Sequence, residues 1–352
     1  MRVLHLPVNL ASYMYHTVKG LREIGVDVRS LAYNNSPMWS SEGLVNLRFP
    51  PRKKIANYVI VWIRATYLFL KFAQWADVIH WYYGEPALPT RLGRMDLGYL
   101  KLLKKPGVVE WQGSDIRIPE VEAKDNPYSL PIMDYYKALR GVSLEKSYRN
   151  QSLFAKSGFA CIVPVEMQQY LFPNLWTKSY LVFQRLFLSE FKPFYPDPTV
   201  RRPIVVHAPS EPVLKGTSAV LKAVELLKEK HDFQFILVKN MPHREALQIM
   251  QRADIFLDQF VLGFYGMGSV EAMAFGKPVI CYIKPSIREK YPPDLPIVNA
   301  NQDNLVDVLE NLLKDGKLRH EIGKRSRQYA EKYHDAVKLA HRLVEIYKEI
   351  SY

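Results

Sequence analysis

The chain has 352 residues, 48% of them hydrophobic and 24% charged, with 48 Lys and Arg against 35 Asp and Glu. This excludes a disordered, collagen-like or low-complexity chain, and the length suits two domains. The net charge of +13 favours anionic partners, such as a nucleotide, nucleic acid or an acidic lipid surface, without choosing among them.

The opening Met1-Arg2-Val3-Leu4-His5-Leu6-Pro7 reads as a first strand, not a secretory signal, since it has no long apolar core and no small-residue cleavage site. Tyr15, Val18, Leu21 and Ile24 share one helical face, Gly25 should stop that helix, and 26–32 should be a second strand. Further short apolar runs at 78–82, 108–111 and 161–165 extend the pattern. In the second half, strands are expected at 203–208, 233–238, 255–260 and 278–283. Helices are expected at 217–230, with Val220, Val224 and Leu227 inward, at 243–252, and at 269–275. Three more should follow at 305–314, 318–333 and 336–350. This β-α alternation with nearly continuous apolar strands predicts an α/β fold of doubly wound parallel sheets. Three prolines within 191–198 mark a stiff linker. The expected division is an N-terminal domain over 1–190, a second domain over 200–335, and a last helix over 336–352. Two such sheets would share a crevice at the C-terminal ends of their strands. Cys161 and Cys281 sit in apolar runs and read as buried thiols, so a reducing, cytoplasmic compartment is expected.

Three loops carry candidate chemistry. In the first, Gly263-Phe264-Tyr265-Gly266-Met267-Gly268 links a buried strand to a helix holding Glu271. Glycines at a helix start leave backbone N–H groups free for phosphate oxygens, although a plain Gly-rich turn with a capping Glu fits too. In the second, His207-Ala208-Pro209-Ser210 leads to Lys215-Gly216, a cation beside a helix start. That suits a diphosphate, and equally an ordinary surface Lys. In the third, Gln112-Gly113-Ser114-Asp115 leaves a strand end, where Asp115 could act on a ligand or cap the turn. Metal-ligand spacings, a Gly-x-x-x-x-Gly-Lys-Ser/Thr loop, a Gly-x-Ser-x-Gly elbow and nucleic-acid module signatures are all absent. No nucleic acid is therefore expected among the partners.

The run Glu271-Ala272-Met273-Ala274-Phe275-Gly276-Lys277-Pro278-Val279 resembles the donor-site signature of GT-B-fold retaining glycosyltransferases, the large group that includes sucrose synthases and phosphatidylinositol mannosyltransferases. The resemblance implies two Rossmann-like domains facing a cleft. It also implies metal-independent transfer of a sugar, with retention, from a nucleotide-diphosphate sugar to a glycan, lipid-linked or small-molecule acceptor. No cofactor is implied beyond that donor. Glu271 would then hold the ribose. Lys215, the 263–268 amides and His207 or Ser210 would face the diphosphate and sugar. Gln112 and Asp115 would act nearest the chemistry, with Asn9, Ser12, Gly113 and Ser114 on the acceptor or diphosphate side. The chain departs from the pattern at four places. Gly263 stands eight residues before Glu271, where the family has a Glu. Ser210 stands for an Arg, Gln112 for a His, and Asn9-Leu10-Ala11-Ser12 for a Gly-Gly loop. A degenerate binder of nucleotide sugars or glycans, or a sugar-nucleotide epimerase or hydrolase on the same fold, therefore stays open as an alternative.

One stretch lies outside this resemblance. No acidic residue occurs between Glu42 and Asp77, while Arg48, Arg52, Lys53, Lys54, Arg64 and Lys71 alternate with Tyr58, Trp62, Ile63, Tyr67 and Phe69. Such a segment suits an interfacial helix on an anionic membrane surface, making the enzyme peripheral to the cytoplasmic face; a core helix with a basic rim suits it as well.

Overall fold

The computed structural model describes residues 1–33, 36, 39–49, 55–88 and 94–351. In chain order it runs β1 (Arg2–Leu6), α1 (Tyr13–Glu23), β2 (Asp27–Ser30), α2 (Ile55–Trp75), β3 (Val78–Tyr82), α3 (Met95–Leu102), β4 (Gly107–Glu110), α4 (Pro119–Ala123), α5 (Leu130–Arg140), α6 (Leu144–Lys156), β5 (Ala160–Val163) and β6 (Ser179–Leu181). It continues with β7 (Ile204–His207), α7 (Pro212–Lys215), α8 (Thr217–Lys228), β8 (Gln234–Leu237), α9 (His243–Arg252), β9 (Ile255–Leu257), α10 (Met267–Ala274), β10 (Val279–Cys281), α11 (Pro285–Arg288), β11 (Val298–Asn299), α12 (Leu305–Lys314), α13 (Gly316–Tyr333) and α14 (Ala336–Ser351).

Two compact units result. One comprises Met1–Ile118, Val142–Phe187 and Ala336–Tyr352; the other comprises Pro119–Gly141 and Leu188–Asp335. The helices α4 and α5, which a division at 190 assigns to the first domain, thus pack with the second unit. Each unit is built on one parallel sheet. The first has six strands in the order β2-β1-β3-β4-β5-β6, the second five in the order β11-β10-β9-β7-β8. The strands β3, β4, β5, β9 and β10 are buried along their whole length, as strands covered on both faces must be. This is the doubly wound α/β architecture expected from the sequence.

In the first unit, α1 ends as its glycine requires. Gly25 takes φ +81°, its N–H bonds the Arg22 carbonyl, and the Val26 N–H reaches back to Leu21. The last helix, α14, lies so close to α1 that a Cβ on Gly20 would run into the Ala336 carbonyl. A buried polar chain then fastens α14 to the sheet. Tyr347 Oη lies 2.6 Å from His80 Nδ1, and His80 Nε2 lies 2.9 Å from Glu110 Oε2. That carboxylate also receives Arg185 Nη2 at 2.5 Å, and Arg185 Nε donates to Thr17 on α1. Burial pushes the Glu110 pKa up, but Arg185 and His80 outweigh it and keep the group ionised. Burial keeps His80 neutral. Its Nε2 must then carry the proton donated to Glu110, leaving Nδ1 to accept from Tyr347.

In the second unit, Val220, Val224 and Leu227 are buried against the sheet as their spacing predicts. The proline-rich 191–198 stretch is extended but tied down. Phe194 N–H bonds the Phe275 carbonyl, His320 Nδ1 donates to Pro196, and Lys277 Nζ bonds the Phe194 carbonyl.

Helix α2 divides its apolar side chains between two faces. Ala65, Phe69, Phe72 and Ala73 are buried, whereas Ile60 is 63% exposed, Ile63 56% and Tyr67 58%, with Val59, Trp62 and Leu70 beside them. Arg64 and Lys71 are exposed on the same helix, and Arg48 is exposed nearby in sequence. Arg52, Lys53 and Lys54 lie outside the described residues. Among the described residues, no helix is long and apolar enough to cross a membrane.

Candidate functional site

The second unit gathers Lys215 and the Gly266–Gly268 turn around the end of β9, where two buried polar residues, Asp258 and Gln259, follow the strand. Asp258 Oδ1 lies 2.5 Å from Lys215 Nζ. Its Oδ2 accepts from Gly266 N at 3.0 Å and from Ser269 Oγ at 2.6 Å. Burial alone would raise the Asp258 pKa, but Lys215 and the Ser269 and Gly266 donors hold it below the ordinary carboxylate range. Gln259 Nε2 donates to the carbonyls of Leu262 and Phe264. Two adjacent side chains therefore hold the loop between β9 and α10 at Leu262, Phe264, Gly266 and Ser269.

That loop brings a cation and helix amides together. Lys215 ends the single turn α7, and its carbonyl accepts Phe260 N–H at 3.1 Å. Its ammonium sits against the loop backbone: a Cβ on Gly266 would lie 3.4 Å from Nζ. Met267 and Gly268 follow in the first turn of α10, where no preceding turn offers their N–H groups an acceptor. Gly266, Met267 and Gly268 are partly exposed, unlike the rest of the loop. A Lys ammonium beside the positive end of a helix is an arrangement for phosphate oxygens. One turn on, Glu271 Oε1 lies 2.8 Å from His243 Nε2 at the start of α9. Burial lowers the His243 pKa, but Glu271 outweighs it and the net shift is upward.

Other candidates face elsewhere. Phe264 and Tyr265 are buried, Tyr265 with its hydroxyl 3.2 Å from His334 Nε2 and its ring on Tyr291. His207 cannot supply the cation missing at exposed Ser210. Its Nδ1 donates to the Leu257 carbonyl at 2.9 Å and its Nε2 accepts from Thr217 Oγ1 at 3.0 Å. Burial brings its pKa down to about 4, so it is a neutral link between β7, β9 and α8. Gly263 has a steric reason to lack a side chain. A Cβ there would fall 2.7 Å from Lys284 Cβ and Cγ and 2.9 Å from Cδ. Lys284 fills the space and pairs with Asp125 at 2.6 Å, while Ser286 Oγ bonds the other Asp125 oxygen.

In the first unit the loop after β4 is held from inside. Asp115 Oδ1 accepts from Gly113 N at 2.7 Å and Ile116 N at 3.2 Å, and Oδ2 accepts from Gln112 N at 3.2 Å. Burial pushes the Asp115 pKa up to about 6 despite these bonds. Asp115 therefore caps its own turn and shapes the loop. Gln112 is different: both its amide oxygen and its amide nitrogen are buried with no hydrogen-bond partner among the described residues. Ser114 Oγ contacts the Tyr83 hydroxyl. Asn9 and Ser12 clamp a neighbouring segment, Asn9 Nδ2 on the Ser40 carbonyl at 2.8 Å and Ser12 Oγ accepting Ser40 N–H at 2.7 Å. In the same loop Ala11 and Ser12 take left-handed φ values of 49° and 61°. A left-handed backbone at non-glycine residues comes at a cost in strain.

Sequence reasoning missed His243, Asp125 and Lys284, and gave Asp258 no partner. All reach the site across 28 to 159 residues of chain, and no local spacing signals such pairs.

The chain is similar to known proteins in part of its sequence and in its fold. Residues 213–329 match the family described as glycosyl transferases group 1. The whole fold is similar to three solved structures. Sucrose-phosphate synthase from Thermosynechococcus elongatus is 13% identical with a TM-score of 0.64, covering 99% of this chain and 98% of that one. Anabaena Alr3699/HepE in complex with UDP-glucose is 13% identical with a TM-score of 0.60, covering 99% and 100%. WaaG, a glycosyltransferase involved in lipopolysaccharide biosynthesis, is 14% identical with a TM-score of 0.57, covering 98% and 99%. No curated protein sequence matches the chain. The chain has the GT-B fold of these structures, and the stretch that matches the glycosyl transferases group 1 family lies within its second unit.

Proposed function

We propose that this enzyme moves a sugar from a nucleoside-diphosphate sugar, with UDP-glucose as the first donor to test because HepE is seen with it. The observation that carries the reading is the meeting of Lys215 Nζ with Gly266 and the first turn of α10. The diphosphate sits there, and Glu271, held by His243, takes the ribose hydroxyls. Transfer proceeds with retention and without a metal. The anomeric carbon–phosphate oxygen bond breaks as the acceptor oxygen bonds the same face, and the leaving phosphate oxygen takes the acceptor's proton. The negative charge left on the diphosphate is stabilised by Lys215 and the α10 amides. The first unit binds the acceptor, and the unpartnered amide of Gln112 supports a role in holding a hydroxyl. Calorimetric titration with UDP tests the donor assignment. Lys215→Ala should weaken binding by about 1.5–3 kcal/mol, the scale of a charge-assisted hydrogen bond. Unchanged affinity in a folded variant refutes it.

The exposed stripe on α2 favours a second element, an acceptor carried on lipid. Ile60, Ile63 and Tyr67 rest at the headgroup boundary, with Arg64 and Lys71 beside anionic lipid. The enzyme then works peripherally on the cytoplasmic face, which the buried free thiols Cys161 and Cys281 support. Co-sedimentation with anionic vesicles should be lost on Ile60→Asp with Ile63→Asp and be absent with neutral vesicles. Wild-type indifference to vesicle charge argues for a soluble acceptor.

A further inference from the structure

The anion cradle of the second unit contains an acid that works against it. Asp258 is buried, and its carboxylate is fixed from three sides by Lys215 Nζ, Gly266 N and Ser269 Oγ. Its Oδ2 lies 3.8 Å from where a Gly266 Cβ would be, and Lys215 Nζ lies 3.4 Å from the same point. Its Oδ1 would lie 3.7 Å from a Cβ on Gly268. Any phosphate oxygen that reaches Lys215 and the α10 amides is therefore also brought close to a fixed negative charge. The loop bonds do not need that charge to form, because a neutral oxygen also accepts from Gly266 N and Ser269 Oγ, though more weakly.

We propose that Asp258 is a tuning residue of the donor site: it parks Lys215 in the free protein and lowers the affinity for a nucleoside diphosphate, so that the spent product is released. This rests on the reading of Lys215 as the diphosphate ligand. An arriving diphosphate must take the ammonium from Asp258 and accept a like charge behind it. Both effects lower affinity for the free product, and both vanish when position 258 is neutral.

The sign of one substitution decides the matter. A structural role for Asp258 predicts that losing it disorders Lys215 and weakens binding. The tuning role predicts the reverse. UDP is titrated calorimetrically into the wild type, Lys215→Ala, Asp258→Asn and the double variant at one pH and salt concentration, with thermal unfolding as the check on folding. Asp258→Asn should tighten UDP about ten-fold, which is about 1.4 kcal/mol. The tightening should shrink in the double variant, since part of it comes from releasing Lys215. Weaker or unchanged UDP binding by Asp258→Asn, with Lys215→Ala weakening it, overturns the proposal and leaves the donor assignment standing. No effect of Lys215→Ala overturns the donor assignment itself. Asp258→Ser, which keeps an acceptor for Gly266 N–H, replaces the Asn variant if that one does not fold, with the same expected sign.

Discussion

Gly263 stands where the donor-site signature that this sequence resembles has an acid, and the structure gives the cost of putting any side chain there. Its backbone is not left-handed, so the cost of Gly263→Ala is steric alone. The new Cβ would lie 2.7 Å from two carbons of Lys284 and 2.9 Å from a third. Lys284 cannot yield. Its N–H bonds the Gly263 carbonyl at 3.0 Å, its own carbonyl accepts from Ile287 and Arg288, and its ammonium is pinned by Asp125. Overpacking of this kind costs about 1–3 kcal/mol. At about 2–4 °C per kcal/mol for a unit of this size, the second unit should melt roughly 2–12 °C lower. Thermal unfolding of Gly263→Ala, Lys284→Ala and the double variant measures it. The double variant removes two of the three clashing carbons, so the two costs should fail to add by about 1 kcal/mol. A Gly263→Ala melt equal to wild type, or strict additivity, refutes the steric account. Gly263→Glu should then fail to restore an acid at the sugar, because Lys284 occupies its path.

Two further outcomes follow from strain and burial. Ala11→Gly should raise the melting temperature of the first unit, since a left-handed non-glycine residue costs about 1–2 kcal/mol and φ is 49° there; a fall would mean the backbone is not strained. His207 is depressed from 6.5 to about 4 by burial, so its contribution is present above pH 6.5 and lost as pH falls towards 4. That loss amounts to about 3 kcal/mol. Denaturant unfolding at stepped pH should show this slope in the wild type and a shallower one in His207→Gln; equal slopes would contradict it.

The fold was largely legible because its strands are short, apolar and buried on both faces, and its helices are separated by glycines and prolines. Gly25 stops α1 as expected, and α9 and α12 fall on their expected residues. The strands β6 and β11 were not legible. Ser179-Tyr180-Leu181 and Val298-Asn299 are edge strands with little apolar signal. Nor were α4 and α5, whose place in the second unit is a tertiary fact. Lys215, Gly266, Met267 and Glu271 could be picked out as candidates because glycines and a helix start announce themselves locally. The buried Tyr265 was misleading, because a Gly-rich frame says nothing about which way an aromatic ring between two glycines turns.

The free protein leaves few charges bare at this site, and that has a measurable consequence. Lys215 faces Asp258, Lys284 faces Asp125, and Glu271 faces His243. The net charge of +13 is therefore expressed elsewhere, on surfaces such as the exposed cations of α2. A ligand at the donor site binds by exchanging partners within buried pairs, which salt screens weakly. A ligand at α2 meets solvated cations, which salt screens strongly. UDP affinity should accordingly change by less than about three-fold between 50 and 300 mM salt, where the Debye length falls from roughly 14 to 6 Å. Vesicle binding should be lost over the same range. If UDP affinity falls as steeply as vesicle binding, the diphosphate is held by exposed cations and the paired groups around Asp258 are not its site.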